Sequence, residues 1–156
     1  AFVNGEESGV CSRNVNLKET EDSAFWCAAN SLSLIPKIIS TGRNLALQGE
    51  LMSQKIQKKK KKVQGIEWNC FDIYDIDAQK YLLPKERREL CKELDIPHIA
   101  VVDEDFVLCH NVDQLLEMAE GPGVNQGVKR EGLVFKHNKT DFSFKAISNS
   151  YLLKHG

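Results

Sequence analysis

The sequence lacks several features that would place it in a class at once. It contains no apolar run long enough to span a bilayer and no signal-peptide pattern, so neither membrane insertion nor export is predicted. Its 5 cysteines include no Cys-x-x-Cys pair. This argues against a zinc site or a disulfide framework and favours a reducing, intracellular compartment, with the cytoplasm as the simplest choice. The net charge of −1 gives no global attraction to nucleic acid, so any such site must be local.

The pattern that is present predicts an α+β fold with mostly antiparallel strand pairing. The 156 residues suit one domain with a sizeable core. Ser23 and Asn111 are predicted helix N-caps, and Pro84 suits a first helical turn. Strands are predicted in a hairpin that turns at Asn4-Gly5, at 44–52, 66–77 and 96–102, and in a final hairpin at 131–148, and helices at 24–34, 84–94 and 112–120.

Three segments of the first half carry residues that suit nucleotide binding, each with a structural alternative. Arg13, in Ser-Arg-Asn, contacts an anion or lies solvated in a turn. In Gln-Gly-Glu, Gly49 lets the backbone approach a ligand and Glu50 accepts hydroxyl hydrogen bonds, or the segment is a bulge with an exposed glutamate. Phe71 lies on an aromatic strand that can stack a base, or belongs to a half-buried strand with a polar face.

The final hairpin places opposite charges on neighbouring strands. Glu131 opens the first strand and Lys145 lies between Phe144 and Ala146 in the second. An ion on a buried strand costs several kcal/mol unless a partner compensates it. The two charges therefore either pair with each other or hold a metal and a phosphate.

Taken in order, these segments resemble the nucleotidyltransferase motifs of the covalent ligase and mRNA-capping superfamily. Glu-Gly-Leu-Val-Phe-Lys, followed by Phe-Lys-Ala-Ile-Ser and Tyr-Leu-Leu-Lys, looks most like the ATP-dependent RNA ligases of the Deinococcus and Naegleria type. The resemblance implies a ligase-type nucleotidyltransferase, ATP-grasp-like fold over residues 1–156, with two mostly antiparallel sheets flanking an ATP cleft. The resemblance also implies a role for each residue. Arg13 would contact the nucleotide or its leaving phosphates, Glu50 would bind the ribose, and Phe71 would stack on the adenine. Glu131 would bind a Mg²⁺ or Mn²⁺ ion, Lys145 would contact the α-phosphate, and Lys136 would contact a further phosphate.

The reaction that the resemblance implies has three steps. A lysine attacks ATP to form lysyl-AMP, AMP passes to the 5′-phosphate of an RNA end, and a 3′-hydroxyl displaces AMP to seal the strand. The implied partners are ATP and RNA with 3′-hydroxyl and 5′-phosphate ends, without a membrane, and a monomer is expected.

The sequence departs from this pattern at three places. The nucleophile motif Lys-x-Asp-Gly is absent, so we expect it upstream of Ala1 and expect the chain as given not to self-adenylylate. Ile147 stands where many relatives have a second lysine. The lysine run Lys58, Lys59, Lys60, Lys61 and Lys62 is either a solvated loop or a contact to the RNA backbone.

Other functions remain open at this point. A DNA ligase or capping guanylyltransferase is the alternative within the superfamily, and the expectation that the final strand ends the chain at Tyr-Leu-Leu-Lys favours an RNA ligase. The missing nucleophile also allows a non-catalytic nucleotide- or nucleic-acid-binding remnant. A purely structural α+β domain leaves the order of the motifs unexplained.

Overall fold

A computed structural model describes residues 1–53, 65–123 and 129–156 of the chain. They divide into two compact units, Ala1–Ile99 and Ala100–Gly156, each with its own antiparallel strands. The lysine run at 58–62 lies outside the described residues. Within the described ranges, no helix has the length and apolar character needed to cross a membrane.

The first unit is built on one six-stranded sheet, in which neighbouring strands are antiparallel. The first hairpin forms as predicted, and Gly5 takes the positive φ of 63° that its tight turn requires. The strands are β1 (Phe2–Asn4), β2 (Glu7–Cys11), β3 (Asn16–Leu17), β4 (Leu45–Ser53), β5 (Ile66–Asp75) and β6 (Lys80–Tyr81). Their order in the sheet is β3-β2-β1-β4-β5-β6.

The ladder between β4 and β5 carries a bulge. Gly49 pairs with Cys70 and Gln48 pairs with Asp72, so Phe71 is an extra residue inserted in β5. The insertion shifts the alternation of side chains by one position. This is why the fully buried positions step by three residues, from Cys70 to Ile73, both 0% exposed. The predicted long strand at 66–77 is confirmed, except that it ends at Asp75.

Three helices complete the first unit: α1 (Ala24–Ser31), α2 (Leu34–Ser40) and α3 (Pro84–Glu93). Their apolar side chains join those of the sheet in one core, because each element is too short to bury its apolar face alone. The buried members of this core are Val3, Val10, Trp26, Ala29, Leu34, Ile38, Leu45, Leu47, Cys70, Ile73, Leu82, Cys91 and Ile96.

The prediction of one helix over 24–34 was wrong, because the segment holds the end of one helix and the start of another. Ser33 adopts a left-handed conformation, with φ of 53°, and separates α1 from α2. Pro36 then lies in the first turn of α2, where its missing N–H costs no helical hydrogen bond. The Ser23 cap is confirmed, since its hydroxyl accepts a hydrogen bond from the Trp26 amide at 3.4 Å.

The predicted strand at 96–102 was also wrong. Only His98 makes a bridge, to Cys70, with hydrogen bonds from Cys70 N to Pro97 O at 2.8 Å and from Ile99 N to Cys70 O at 2.9 Å. Val102 beyond it is 71% exposed. An apolar run therefore forms a strand only where a neighbouring strand and a core are within reach.

The second unit contains α4 (Val112–Ala119), β7 (Gly132–Lys136), β8 (Ser143–Ile147) and α5 (Asn149–His155). The final hairpin is confirmed, with Phe135 opposite Phe144 and their rings stacked at 4.8 Å. The expectation that a strand ends the chain was wrong, because Ser148 caps α5 by accepting a hydrogen bond from the Tyr151 amide at 3.1 Å. The predicted Asn111 cap of α4 forms a full capping box with Gln114.

Two charged side chains stabilise helix ends in the second unit. The Arg130 guanidinium donates to the carbonyls of Ala119 at 3.1 Å and Glu120 at 2.9 Å, and so satisfies the C-terminal end of α4. The Glu120 carboxylate accepts a hydrogen bond from the Ser150 amide at 2.9 Å, at the N-terminus of α5. This hydrogen bond from Ser150 lowers the pKa of Glu120 below its ordinary value of 4.5.

We predict that Glu120→Gln destabilises the chain at pH 7 more than at acid pH. Because the folded pKa of Glu120 is lowered, the carboxylate stabilises the fold above the ordinary value of 4.5, and this contribution disappears as the pH falls through the folded pKa. Urea unfolding of the wild type and the variant at pH 7 and pH 3 measures the difference. Glu117→Gln, an exposed carboxylate of α4, is the matched control, and a difference independent of pH would contradict the prediction.

Candidate functional site

Arg13 lies in the turn between β2 and β3. The amide of Ser12 donates to the carbonyl of Val15 at 2.9 Å and closes this turn. The Arg13 side chain is exposed at the β2–β3 side of the sheet, so its guanidinium is accessible to an anion. Its role in binding stays a prediction.

Glu50 lies on β4 opposite Asn69 and is exposed, as the bulge alternative predicts. Gly49 has a structural role that the sequence did not reveal. A Cβ at this position would overlap the indole of Trp68 and the carbonyl of Asn69. The space beside Gly49 is therefore filled by Trp68. The approach of this backbone to a ligand stays a prediction.

Phe71, the inserted residue of β5, is half-buried, and both of its neighbours are anchored. Cys70 is held by the two backbone hydrogen bonds to Pro97 and Ile99. On the other side, Asp72 forms an ion pair with Arg87 of α3, with 3.4 Å between Oδ1 and Nη1. The bulge that carries Phe71 is therefore anchored at both ends.

Sequence reasoning missed Arg87, although the helix period contained a signal for it. In the predicted helix at 84–94, Arg87 lies three and four residues before the apolar pair Leu90 and Cys91, which places it on their face. Arg87 is 5% exposed. Burial lowers the pKa of its guanidinium, and the Asp72 carboxylate opposes that shift.

In the second unit, Glu131 and Lys145 form an ion pair between the Glu131 Oε1 and Lys145 Nζ atoms. The pairing alternative is thus the geometry observed. Their side chains are 45% and 40% exposed, so the expectation that these charges lie on buried strands was wrong. Gly132 beside them is required by packing, since a Cβ there would collide with the Ala146 carbonyl.

The β7–β8 register places two lysines on one face of the hairpin. Lys145 lies opposite Val134 and Lys136 opposite Ser143, two positions along the same strands. Ile147 lies opposite Gly132 on this face. The two cations that we predicted to contact phosphate are therefore near neighbours.

A divalent cation suits the oxygen chemistry of Glu131. Mg²⁺ is usually bound through one or two carboxylates together with substrate phosphates and waters, so a single accessible carboxylate beside a lysine fits such an ion. Among the described residues, no group of three or more His, Cys, Asp or Glu could hold a metal by itself.

The six residues predicted to contact the nucleotide or the metal fall into two sets, one in each unit. Within the first unit lie Arg13, Glu50 and Phe71, and within the second lie Glu131, Lys136 and Lys145. Each set can be tested by itself.

Comparison with known proteins identifies relatives over nearly the whole chain. The family model for RNA ligases matches residues 1–147. Solved structures of Naegleria gruberi RNA ligase match 99% of this chain and 47% of theirs. They include a form with PPi at 46% identity and a TM-score of 0.89, and a lysine-to-alanine mutant with ATP and Mn at 46% identity and a TM-score of 0.90. The chain thus spans about half the length of these relatives. No curated protein gave a match.

We predict that the Glu131–Lys145 pair contributes little to folding. Because both side chains are well exposed, screening leaves the pair about 0–1 kcal/mol, so Lys145→Met and Glu131→Gln should each change the free energy of unfolding by less than about 1 kcal/mol. Urea unfolding of both single variants and the double variant measures the coupling. Lys139→Met, an exposed lysine in the same hairpin, is the control, and a coupling above about 2 kcal/mol would show a structural role.

Proposed function

Because the chain belongs to the RNA ligase family, we propose that its 156 residues are the nucleotidyltransferase domain of an ATP-dependent RNA ligase. The reaction joins 3′-hydroxyl and 5′-phosphate ends of RNA through enzyme-AMP and RNA-adenylate intermediates, in RNA repair. One observation carries the proposal: the β7–β8 hairpin holds Glu131 and Lys145 in contact on accessible surface. Since an exposed pair adds little to folding, ligand binding is the better reason for these charges.

In the first unit, the proposed contacts are to the nucleoside and to the leaving phosphates. Phe71 would stack on the adenine, and Glu50 on the neighbouring strand would accept hydrogen bonds from the ribose hydroxyls. Glu50 and Phe71 belong to the same β4–β5 ladder. Arg13, exposed in the β2–β3 turn, would contact phosphate.

In the second unit, Lys145 would stabilise the negative charge that develops on the α-phosphate. Lys136, on the same face of the hairpin, would contact a further phosphate. Glu131 would hold Mg²⁺ or Mn²⁺, which supplies charge neutralisation at the phosphates when it is bound. Glu131 and Lys145 pair with each other in the structure. When nucleotide and metal bind, Lys145 would pair with a phosphate and Glu131 with the metal ion, so that two contacts between opposite charges would replace one ion pair.

These 156 residues do not contain the Lys-x-Asp-Gly nucleophile motif. The last displacement of the proposed reaction needs no lysine nucleophile, so these residues can be tested on RNA ends that already carry AMP. The described cysteines are all free, which supports an intracellular, reducing compartment, and we propose the cytoplasm.

A contact between the lysines at 58–62 and the RNA backbone stays a proposal from sequence alone.

We predict that the chain seals pre-adenylylated RNA to an RNA 3′-hydroxyl in the presence of Mn²⁺. Removing a preorganised charge at a phosphoryl-transfer site costs roughly 10²–10³ in rate, so Lys145→Met and Glu131→Ala should each slow joining by about that factor. Single-turnover joining assays measure it, with Lys139→Met as the control that should match the wild type.

Unchanged joining by Glu131→Ala would contradict the assignment of the metal site. A chain that binds ATP but joins no RNA would instead be a non-catalytic binding domain. Preference for a pre-adenylylated DNA end would indicate a DNA ligase, and binding of GTP in preference to ATP would indicate a capping-type enzyme.

A further inference from the structure

We propose that Arg87 is a positioning residue for the nucleotide, because it fixes the bulge from which Phe71 stacks on the adenine. The inference rests on the proposed function, since it gives Arg87 a purpose only if Phe71 contacts a base. It adds a residue of α3 that makes no proposed contact with the nucleotide. All of the residues involved belong to the first unit.

An inserted residue needs external support. A bulge interrupts the regular hydrogen bonding of its ladder, so the direction of the inserted side chain is set by whatever holds the flanking residues. Before Phe71, the 97–99 segment supplies that support through the hydrogen bonds between Cys70 N and Pro97 O and between Ile99 N and Cys70 O. After Phe71, the support comes from the side chain of Asp72.

Arg87 links these two supports. Its Nη1 atom lies 3.4 Å from Asp72 Oδ1, and its Nε donates to His98 Nε2 at 3.0 Å. His98 belongs to the same 97–99 segment that holds Cys70. One guanidinium therefore ties the residue after Phe71 to the segment that holds the residue before it.

The hydrogen bonds also define the state of His98. Because an arginine Nε can only donate, His98 Nε2 must accept, which leaves the proton of a neutral ring on Nδ1. That nitrogen lies 2.7 Å from the Ile99 carbonyl and donates to it. The hydrogen bonds thus run in one direction, from the Arg87 guanidinium to His98 and from His98 to the backbone carbonyl of Ile99.

Burial of Arg87 favours a specific role over a solvated one. A guanidinium that is 5% exposed has lost most of its hydration, and a charge is retained in such a place only when its partners are fixed. An arginine offers two directional donors at once, to a carboxylate and to an imidazole, which neither lysine nor methionine can reproduce. The geometry therefore suits alignment of two segments.

The test compares ligands with and without a base. Calorimetric titration of the 156-residue chain with AMP and with inorganic pyrophosphate, both with Mn²⁺, should show that Arg87→Met weakens AMP binding about tenfold, as expected for lost base stacking, and leaves pyrophosphate binding unchanged. His98→Leu should act in the same direction, and His98→Gln, which keeps an acceptor, should restore part of the affinity. Lys85→Met, an exposed cation of α3, is the matched control.

A double-variant cycle shows whether the effect passes through Phe71. In the Phe71→Ala background, Arg87→Met should cause no further loss of AMP affinity. An equal loss for AMP and pyrophosphate, or an undiminished loss in the Phe71→Ala background, would overturn the proposal. If Arg87→Met does not fold in a thermal melt, the His98→Leu and His98→Gln pair decides by the same criteria.

A ligand-free measurement separates this inference from the proposed function. With 4-fluorophenylalanine at position 71, the wild type should give one sharp ¹⁹F resonance, which Arg87→Met or His98→Leu broadens or splits and Lys85→Met leaves unchanged. If the wild type fails to bind AMP but shows this pattern, the proposed function is wrong and the positioning by Arg87 stands. An unchanged resonance in both variants would overturn the positioning.

Discussion

The β4–β5 ladder is the element on which the first unit depends, and its most important feature is one inserted residue. Before the bulge, alternate residues of β5 face the core. The inserted Phe71 shifts this alternation by one position, so that Ile73 faces the core on the far side of the bulge. Cys70 and Ile73 are thereby both buried, and a polar residue, Asp72, is left between them to meet Arg87. The insertion thus couples core packing to the placement of Phe71, the residue proposed to stack on the adenine, because a change in the bulge would move both.

The charged residues of the second unit are of two kinds. Glu131 and Lys145 lie on accessible surface and neutralise each other, so they are compatible with folding without being important to it. Arg130 and Glu120, by contrast, satisfy backbone groups at helix ends, where hydrogen-bond partners are otherwise missing. Within the second unit, Arg130 and Glu120 therefore have backbone partners, whereas Glu131 and Lys145, the charges proposed to bind ligands, have each other.

Glycine has two different structural roles in this chain. At Gly5 the backbone needs a positive φ, and the sequence predicted it from the Asn-Gly pair. Gly49 and Gly132 instead leave room for Trp68 and for the Ala146 carbonyl. Both belong to motifs that suggested ligand binding, and both are also required for packing. The residues beside them, Glu50 and Glu131, are accessible.

Local turn chemistry, residue period and motif order were enough to predict the α+β class, both hairpins, the long β4 and β5 strands, the helix caps at Ser23 and Asn111, and the family. Three features could be read only from the folded chain: Ser33 divides one predicted helix into two, the 96–102 segment forms no strand, and α5 follows Ser148. The contacts of Arg87 belong to the same group. Its partners Asp72 and His98 lie 15 and 11 residues away along the chain, a separation that no local sequence pattern specifies.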